Sequence, residues 1–326
     1  MEKNLAIGRS GFIGAGVASL LAGGSMVRQV YILLVAVAMS AQCGAIDLSR
    51  ENWKVPSWDP RLTQPGAVLE YVGKTWCGHV QGMCVSSNAL YFAFHTHILK
   101  TDWLGRFLRR VEVVRHTGDI CLWDGKLYTA VCHDDNGKGR GRIQVFDEDL
   151  NFVKEAYFAR SADGITCLDG TLYVGLGPAG TKAEPYRGNW YGKFDAETLE
   201  PLCEPFRLDH GYDCSAGVQN MTTDGTYIYA NYYCPDETAD TPCFIVFDRE
   251  MNVKGAHLFG WRQGIDVVPG GKDGAVRFIY CTTINWIGSS TKCRVPPQAL
   301  VQFAELKGGK IRDISRHCIF ETPLDR

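Results

Sequence analysis

Residues 79–134 read HVQGMCVSSNALYFAFHTHILKTDWLGRFLRRVEVVRHTGDICLWDGKLYTAVCHD. The stretch holds one full copy of a repeated unit and the start of the next. A small or polar residue leads into a short apolar run (Gly82-Met83-Cys84-Val85), a turn follows, and then an aromatic strand (Leu90-Tyr91-Phe92-Ala93-Phe94). A third run ends in Asp (Ile98 to Asp102), and the pattern restarts at Asp119-Ile120-Cys121-Leu122 with Leu127-Tyr128-Thr129-Ala130-Val131 after it. Such short runs, rich in aromatic and β-branched residues and bounded by turn residues, are strands.

Working outward, three further copies are legible. Their first runs begin at Gly164, Asn220 and Gly264; their second runs contain Tyr173, Tyr229 and Tyr280. With Tyr91 and Tyr128, the tyrosines step by 37, 45, 56 and 51 residues. A period in this range, built only of strands, marks a β-propeller, because each unit needs a neighbour on either side to bury its two faces. Five copies predict an all-β, five-bladed β-propeller. The alternative is a six-bladed one, if the poorly patterned segment after residue 45 adds a blade. Asp102, Asp147, Asp195 and Asp248 close the third runs and precede turns, so they are expected to cap those turns with their side chains. The tyrosines are expected to pack in the core with a polar tip.

The N-terminal region has a different character. Met26-Val27-Arg28-Gln29 precedes an apolar run over 30–39 and then Ser40-Ala41-Gln42-Cys43-Gly44-Ala45. A basic start, a short apolar run and small residues describe a signal peptide cleaved after Ala45. Met26 is a natural start, which would make 1–25 an extension ahead of it. The division expected is therefore 1–45 signal segment, 46–65 extended arm, and 66–326 a single propeller, with 66–72 as a strand closing the ring against blade five. The run over 30–39 is too short for a comfortable bilayer span, so no stable membrane span is expected after cleavage. Loss of 1–45 takes the formal charge from −2 to −4, since Lys3, Arg9 and Arg28 leave with Glu2. The chain has no basic run or patch, which argues against nucleic acid as a partner.

Twelve of the 13 cysteines follow residue 45, an even, high number that fits a secreted or periplasmic location. Cys234–Cys243 and Cys281–Cys293 are expected as loop-closing disulfides. Cys84, Cys121 and Cys167 lie in first strands and are expected as free, buried thiols. The absence of a CxxC pair argues against a thiol-only zinc site.

Polar residues enter every innermost strand: His79 and Gln81; His116 and Asp119; Asp163; Gln219 and Asn220; Arg262 and Gln263. Unpaired burial of such groups is costly, so they are expected to line the axial pocket. His79 and His116, from adjacent blades, are candidate catalytic acid–base groups, with Asp119 and Asp163 in support. His79, His116, His95, His97 and His133 are candidate ligands of a divalent metal ion. Gln81, Gln219, Asn220, Arg262 and Gln263 are candidate substrate contacts, Arg262 as a clamp on an anionic group. Trp76, Trp261 and Trp286 could offer stacking faces. The structural reading stands beside these: small propellers commonly fill their axis with polar side chains, and two histidines flanking a tight turn can simply face solvent. Asn220-Met221-Thr222 is also a glycosylation sequon.

The run His-x-Gln-Gly (79–82), Leu-Tyr, Lys-Thr-Asp, His-x-Gly-Asp (116–119) and Asp-Gly-Lys-Leu-Tyr (124–128) resembles a group of secreted bacterial propellers, loosely similar to the gluconolactonase-like and NHL-type propellers. The resemblance covers residues 79–131 and implies the fold. The metal-binding acidic and amide residues of gluconolactonase-like enzymes have no counterparts here, so that activity is not carried over. The function expected is a secreted hydrolase or lyase acting on a carbohydrate or small molecule. If it is a glycosidase, Asp119 and Asp163 are the two carboxylates. The alternative is a non-catalytic glycan- or protein-binding propeller whose polar axis is structural. A quinone-dependent dehydrogenase fits less well, since the tryptophan repeat of such propellers is missing.

Overall fold

The computed structural model describes residues 80–103, 105, 107–114, 116–132, 141–177, 190–208, 217–232, 243–259, 263–268, 274–284, 298–313 and 318–320. They form 21 strands, and no helix among them is long and apolar enough to cross a membrane. Blade one is β1 (Val80–Val85), β2 (Leu90–Phe94), β3 (His97–Thr101) and β4 (Phe107–Glu112), antiparallel in chain order. Blade two repeats this with β5 (Thr117–Trp123), β6 (Lys126–Val131), β7 (Gly141–Asp147) and β8 (Phe152–Phe158). Blade three is β9 (Ala162–Leu168), β10 (Thr171–Leu176), β11 (Trp190–Asp195) and the short β12 (Phe206–Arg207). Blade four is β13 (Val218–Thr223), β14 (Ile228–Tyr232), β15 (Phe244–Phe247) and β16 (Val253–His257). Blade five is β17 (Gly264–Val268), β18 (Val276–Ile284), β19 (Gln298–Lys307) and β20 (Lys310–Asp313), with β21 (Cys318–Phe320) pairing further along β19.

The first strand of each blade is innermost, and β1, β5, β9, β13 and β17 touch in that order and back to β1. The ring is thus a five-bladed β-propeller. A hydrophobic cluster fills each of the five seams between neighbouring blades. That between blades two and three, for example, joins Tyr128, Ile143 and Val145 to Ile165, Leu172 and Val174. The seam that closes the ring joins Val80, Met83 and Phe92 of blade one to Ile279, Cys281 and Val301 of blade five. No described blade borrows a strand from another. The outer place in blade five is filled by β20 from the same blade, while 66–72 lie outside the described residues, as do the proposed signal segment and the arm.

Local chemistry explains why the blades repeat. Asp124-Gly125 and Asp169-Gly170 both take positive φ, the geometry of the tight hairpin turns that match strand twist. Asp147 Oδ1 accepts from the backbone N–H groups of Asp149 and Asn151, at 2.9 and 2.8 Å. Asp195 accepts from Thr198 N (2.7 Å) and Asp248 from Asn252 N (2.8 Å). At Asp102 the turn is closed by its carbonyl, which accepts from Gly105 N at 3.0 Å. Each of the three Asp-capped turns also sinks an apolar residue of positive φ into the core: Leu150, Leu199 and Met251.

Two cysteine expectations meet different outcomes. Cys84, Cys121 and Cys167 are free and buried, as expected. Cys281 is free as well, which overturns the Cys281–Cys293 disulfide. Its sulfur packs inside the seam of blades one and five, facing Gly264 and not a loop. Cys243 is disulfide-bonded. Its expected partner Cys234 lies outside the described residues.

Candidate functional site

The inner strands of blades one to four each carry a register shift near their start, at Val80/Gly82, Thr117/Ile120, opposite Val174/Leu176, and Val218/Asn220. A bulge of this kind re-aims side chains. Here it defines two layers along the axis. One is occupied by Gln81, Gly118, Asp163, Gln219 and, at the foot of β17, Gln263. The next residue along gives the deeper layer: Gly82, Asp119, Gly164, Asn220 and Gly264.

The deeper layer is a plug. Asp119 and Asn220 are completely buried. Asp119 Oδ2 accepts from Met221 N (2.7 Å) and Ile165 N (3.2 Å), and Oδ1 accepts from Asn220 Nδ2 (3.1 Å). Asn220 Nδ2 also lies 2.8 Å from Gln81 O and 3.3 Å from Gln263 O. Two side chains therefore tie together all five inner strands. Gly82 gives Asp119 room: a Cβ there would sit 2.5 Å from Asp119 Cα and 2.7 Å from its Oδ1. Burial pushes the Asp119 carboxyl well above its ordinary range, although the Met221 and Ile165 amides pull the other way. Both oxygens of Asp119 are engaged inside the protein, so its geometry is that of a structural strut rather than a group facing substrate. The same burial closes Asn220 to glycosylation in the folded chain.

Above the plug lies a polar cluster at the channel mouth. His116, just before β5, has φ 67°. Its N–H donates to His95 O (2.7 Å), its carbonyl accepts from Cys132 N (3.1 Å), and its ring meets that of His95 edge to face at 4.6 Å. Cys132 follows β6 directly, and its thiol is hydrogen-bonded to the Asp163 carboxyl and to Ser161. The ligand atoms of His116, Cys132 and Asp163 all lie within 4.8 Å of one another. Burial pushes the Asp163 carboxyl up to about 6, opposed by the bond from Cys132. Burial, and next the Asp163 charge, hold the Cys132 thiol well above its usual range.

An amide relay flanks this cluster. Gln219 Nε2 donates to Gln81 Oε1 at 3.0 Å, and Gln81 Nε2 lies 2.9 Å from His95 Nε2. With its oxygen engaged, Gln81 donates from nitrogen, so His95 Nε2 accepts and the ring proton belongs on Nδ1.

Of the residues singled out in the sequence, the mouth gathers Gln81, His95, His116, Asp163 and Gln219, with Gln263 buried beside the plug. His97 is not among them. It opens β3, opposite Glu112, with Nδ1 2.8 Å from Thr96 Oγ1 and Nε2 3.8 Å from Glu112 Oε1. Burial lowers its pKa. His79, His133, Arg262, Trp76, Trp261 and Trp286 lie outside the described residues. Cys132 and Ser161 are additions. The signal for Cys132 was in the repeat itself: LYFAF-His95, LYTAV-Cys132 and LYVGL-Gly177 align, so Cys132 stands where blade one has His95. Gly177 at that place in blade three leaves space for the Ser161 hydroxyl, which a Cβ would strike at 2.0 Å.

No protein-family model and no curated protein matches the chain. Among solved structures it is similar to a xylan β-1,4-xylosidase from Bacillus halodurans C-125, at 11% identity and TM-score 0.45, over 78% of this chain and 57% of that one. It is also similar to the Neurospora crassa Pan2 WD40 domain (10%, TM-score 0.39, 68% and 61%) and to BamB from Moraxella catarrhalis (16%, TM-score 0.38, 66% and 60%). The chain thus spans about three fifths of each of these proteins. Likenesses this distant carry no functional argument.

Proposed function

We propose that the protein is an exported propeller enzyme, a hydrolase acting on a polar, carbohydrate-type substrate at the mouth of its plugged channel. The observation that supports this reading best is the convergence of His116, Cys132 and Asp163 directly above a plug that closes the channel beneath them. His116 is half-buried and backbone-pinned, and serves as the proton-transfer group. Asp163, with a carboxyl near 6, holds or releases a proton in the physiological range. Gln81 and Gln219, joined amide to amide and to His95, order the wall of the site beside the cluster. Asp119 has no catalytic part in this proposal, so the two-carboxylate glycosidase scheme is set aside. Export is supported by the apolar run over 30–39 and by the disulfide at Cys243, for which Cys234 is the proposed partner.

The second reading is non-catalytic binding of a glycan, favoured by the three glutamines (Gln81, Gln219, Gln263) at one level of the axis. A panel of oligosaccharides, esters and lactones, offered to the mature protein and to His116→Ala and Asp163→Asn, separates the two. Turnover lost in both variants, with unfolding midpoints kept, supports the enzyme. Turnover unchanged in both removes this site from the reaction. Binding without turnover, lost in Gln81→Ala and Gln219→Ala, favours the binding module.

A further inference from the structure

We infer that His116, Cys132 and Asp163 form a mononuclear site for a borderline-soft divalent metal ion of the zinc(II) type. This deepens the reading of the channel mouth given above and rests on the same cluster; with the ion bound, His116 and Asp163 serve as its ligands in place of the proton-transfer roles they have in the metal-free site.

The donor set selects the metal class. One imidazole, one thiolate and one carboxylate suit zinc, whereas magnesium and calcium ask for shells of oxygen ligands. Ligand atoms in a tetrahedral zinc shell, at about 2.0–2.3 Å from the ion, stand roughly 3.3–3.8 Å apart. The three donor atoms here all lie within 4.8 Å of one another, so the shell closes by side-chain shifts of about an ångström. On binding, the thiol proton passes to the buffer and the sulfur coordinates as thiolate.

Three protein ligands leave a fourth position open, the arrangement of a catalytic rather than a structural zinc site. His95 does not fill it through Nε2, because that nitrogen accepts from Gln81 at 2.9 Å. The surroundings are built as supporting shells of metal ligands usually are. Ser161 is hydrogen-bonded to the Cys132 sulfur, and the His95 ring packs edge to face with that of His116. His116 is held in a left-handed backbone conformation by bonds at both its N–H and its carbonyl. Two ligands come from blade two and one from blade three, so the ion would also staple that seam at its rim.

The test is titration of reduced, chelator-treated full-length protein with cobalt(II) chloride, followed by displacement with zinc. Expected are one equivalent of cobalt in a tetrahedral visible spectrum and a near-ultraviolet thiolate-to-cobalt charge-transfer band. Cys132→Ser should abolish that band, and His116→Ala and Asp163→Asn should each weaken binding at least about tenfold. Cys84→Ser, at another free and buried thiol, should leave the band intact. Should Cys132→Ser fail to fold, the other two variants read the same site. No charge-transfer band in the wild type, or a band that survives Cys132→Ser, overturns the proposal. The outcomes for function are separate. Cobalt bound with no turnover keeps the metal site and sinks the hydrolase. Turnover that persists in metal-free Cys132→Ser keeps the hydrolase and removes the ion from its reaction, while the cobalt band alone decides the metal site.

Discussion

Asp119 and Asp163 show how far apart two identical residue types can be placed by one step of backbone. In sequence, Gly118-Asp119 and Asp163-Gly164 differ only in order. In the ring, that order puts Asp119 in the plug and Asp163 in the mouth. We expect Asp119→Ala to cost about 3–5 kcal/mol, because it leaves the Met221 and Ile165 amides without their acceptor in a closed interior. Asp163→Ala should cost under about 1 kcal/mol in stability, since its loss orphans no backbone amide that the plug depends on. Urea denaturation of the pair checks both. Read from the sequence, all these polar residues stand together on the axis, with no distinction of depth. Depth follows from the bulges, and a bulge has no residue signature of its own. Cys132 escaped for a different reason. A cysteine closing an apolar strand looks like Cys84, Cys121 and Cys167, which are packing residues, and only its register with His95 sets it apart.

At the scale of the strand, two of the repeated tyrosines act as ties between blades. Tyr91 OH donates to Glu148 O (3.1 Å) in the turn of blade two, and Tyr173 OH donates to Arg249 O (2.9 Å) in the equivalent turn of blade four. Tyr128 occupies the same place in blade two, yet its buried hydroxyl has no hydrogen-bond partner. Tyr91→Phe and Tyr173→Phe should therefore each lower stability by about 1 kcal/mol, whereas Tyr128→Phe should be neutral or stabilising. Thermal melts of the three variants read this directly. The inner strands carry a second prediction. In Gly82→Ala the new methyl would meet Asp119 Cα, its carboxylate and the Ile120 amide at 2.5–2.8 Å. These atoms belong to a neighbouring inner strand and cannot turn aside, so a loss above about 3 kcal/mol is expected, seen as a lowered urea midpoint or insoluble expression. The strands themselves were plain in the sequence, because the Leu-Tyr and Ile-Tyr runs recur in every blade and the Asp-closed turns in every blade but the last. There Ala304 replaces the Asp, and the turn passes to Gly308-Gly309, both at positive φ.

Across the whole molecule, the seam between blades one and five is fastened by side chains. Asp266 of β17 accepts from Val85 N at 2.9 Å on β1, and from the Thr222 hydroxyl at 2.6 Å on β13. Burial pushes its carboxyl up to about 6. The folded chain thus holds this proton more tightly than the unfolded chain, whose carboxyl titrates near ~4. Asp266 therefore adds stability as pH falls through 6, and that contribution is lost again as pH rises from about 4 to 6. Between pH 7 and pH 5 the wild type should gain about 1 kcal/mol relative to Asp266→Asn, measured as the difference between their urea denaturation curves. An unchanged difference would mean that the seam is not charge-sensitive. The same seam has a consequence for how the chain is made. Every described blade is complete once its own consecutive strands have been synthesised, so none has to wait for a distant segment to supply an edge. Blades can form one after another as the polypeptide leaves the ribosome, and the last event is the meeting of the first and fifth, when Asp266 finds the Val85 amide.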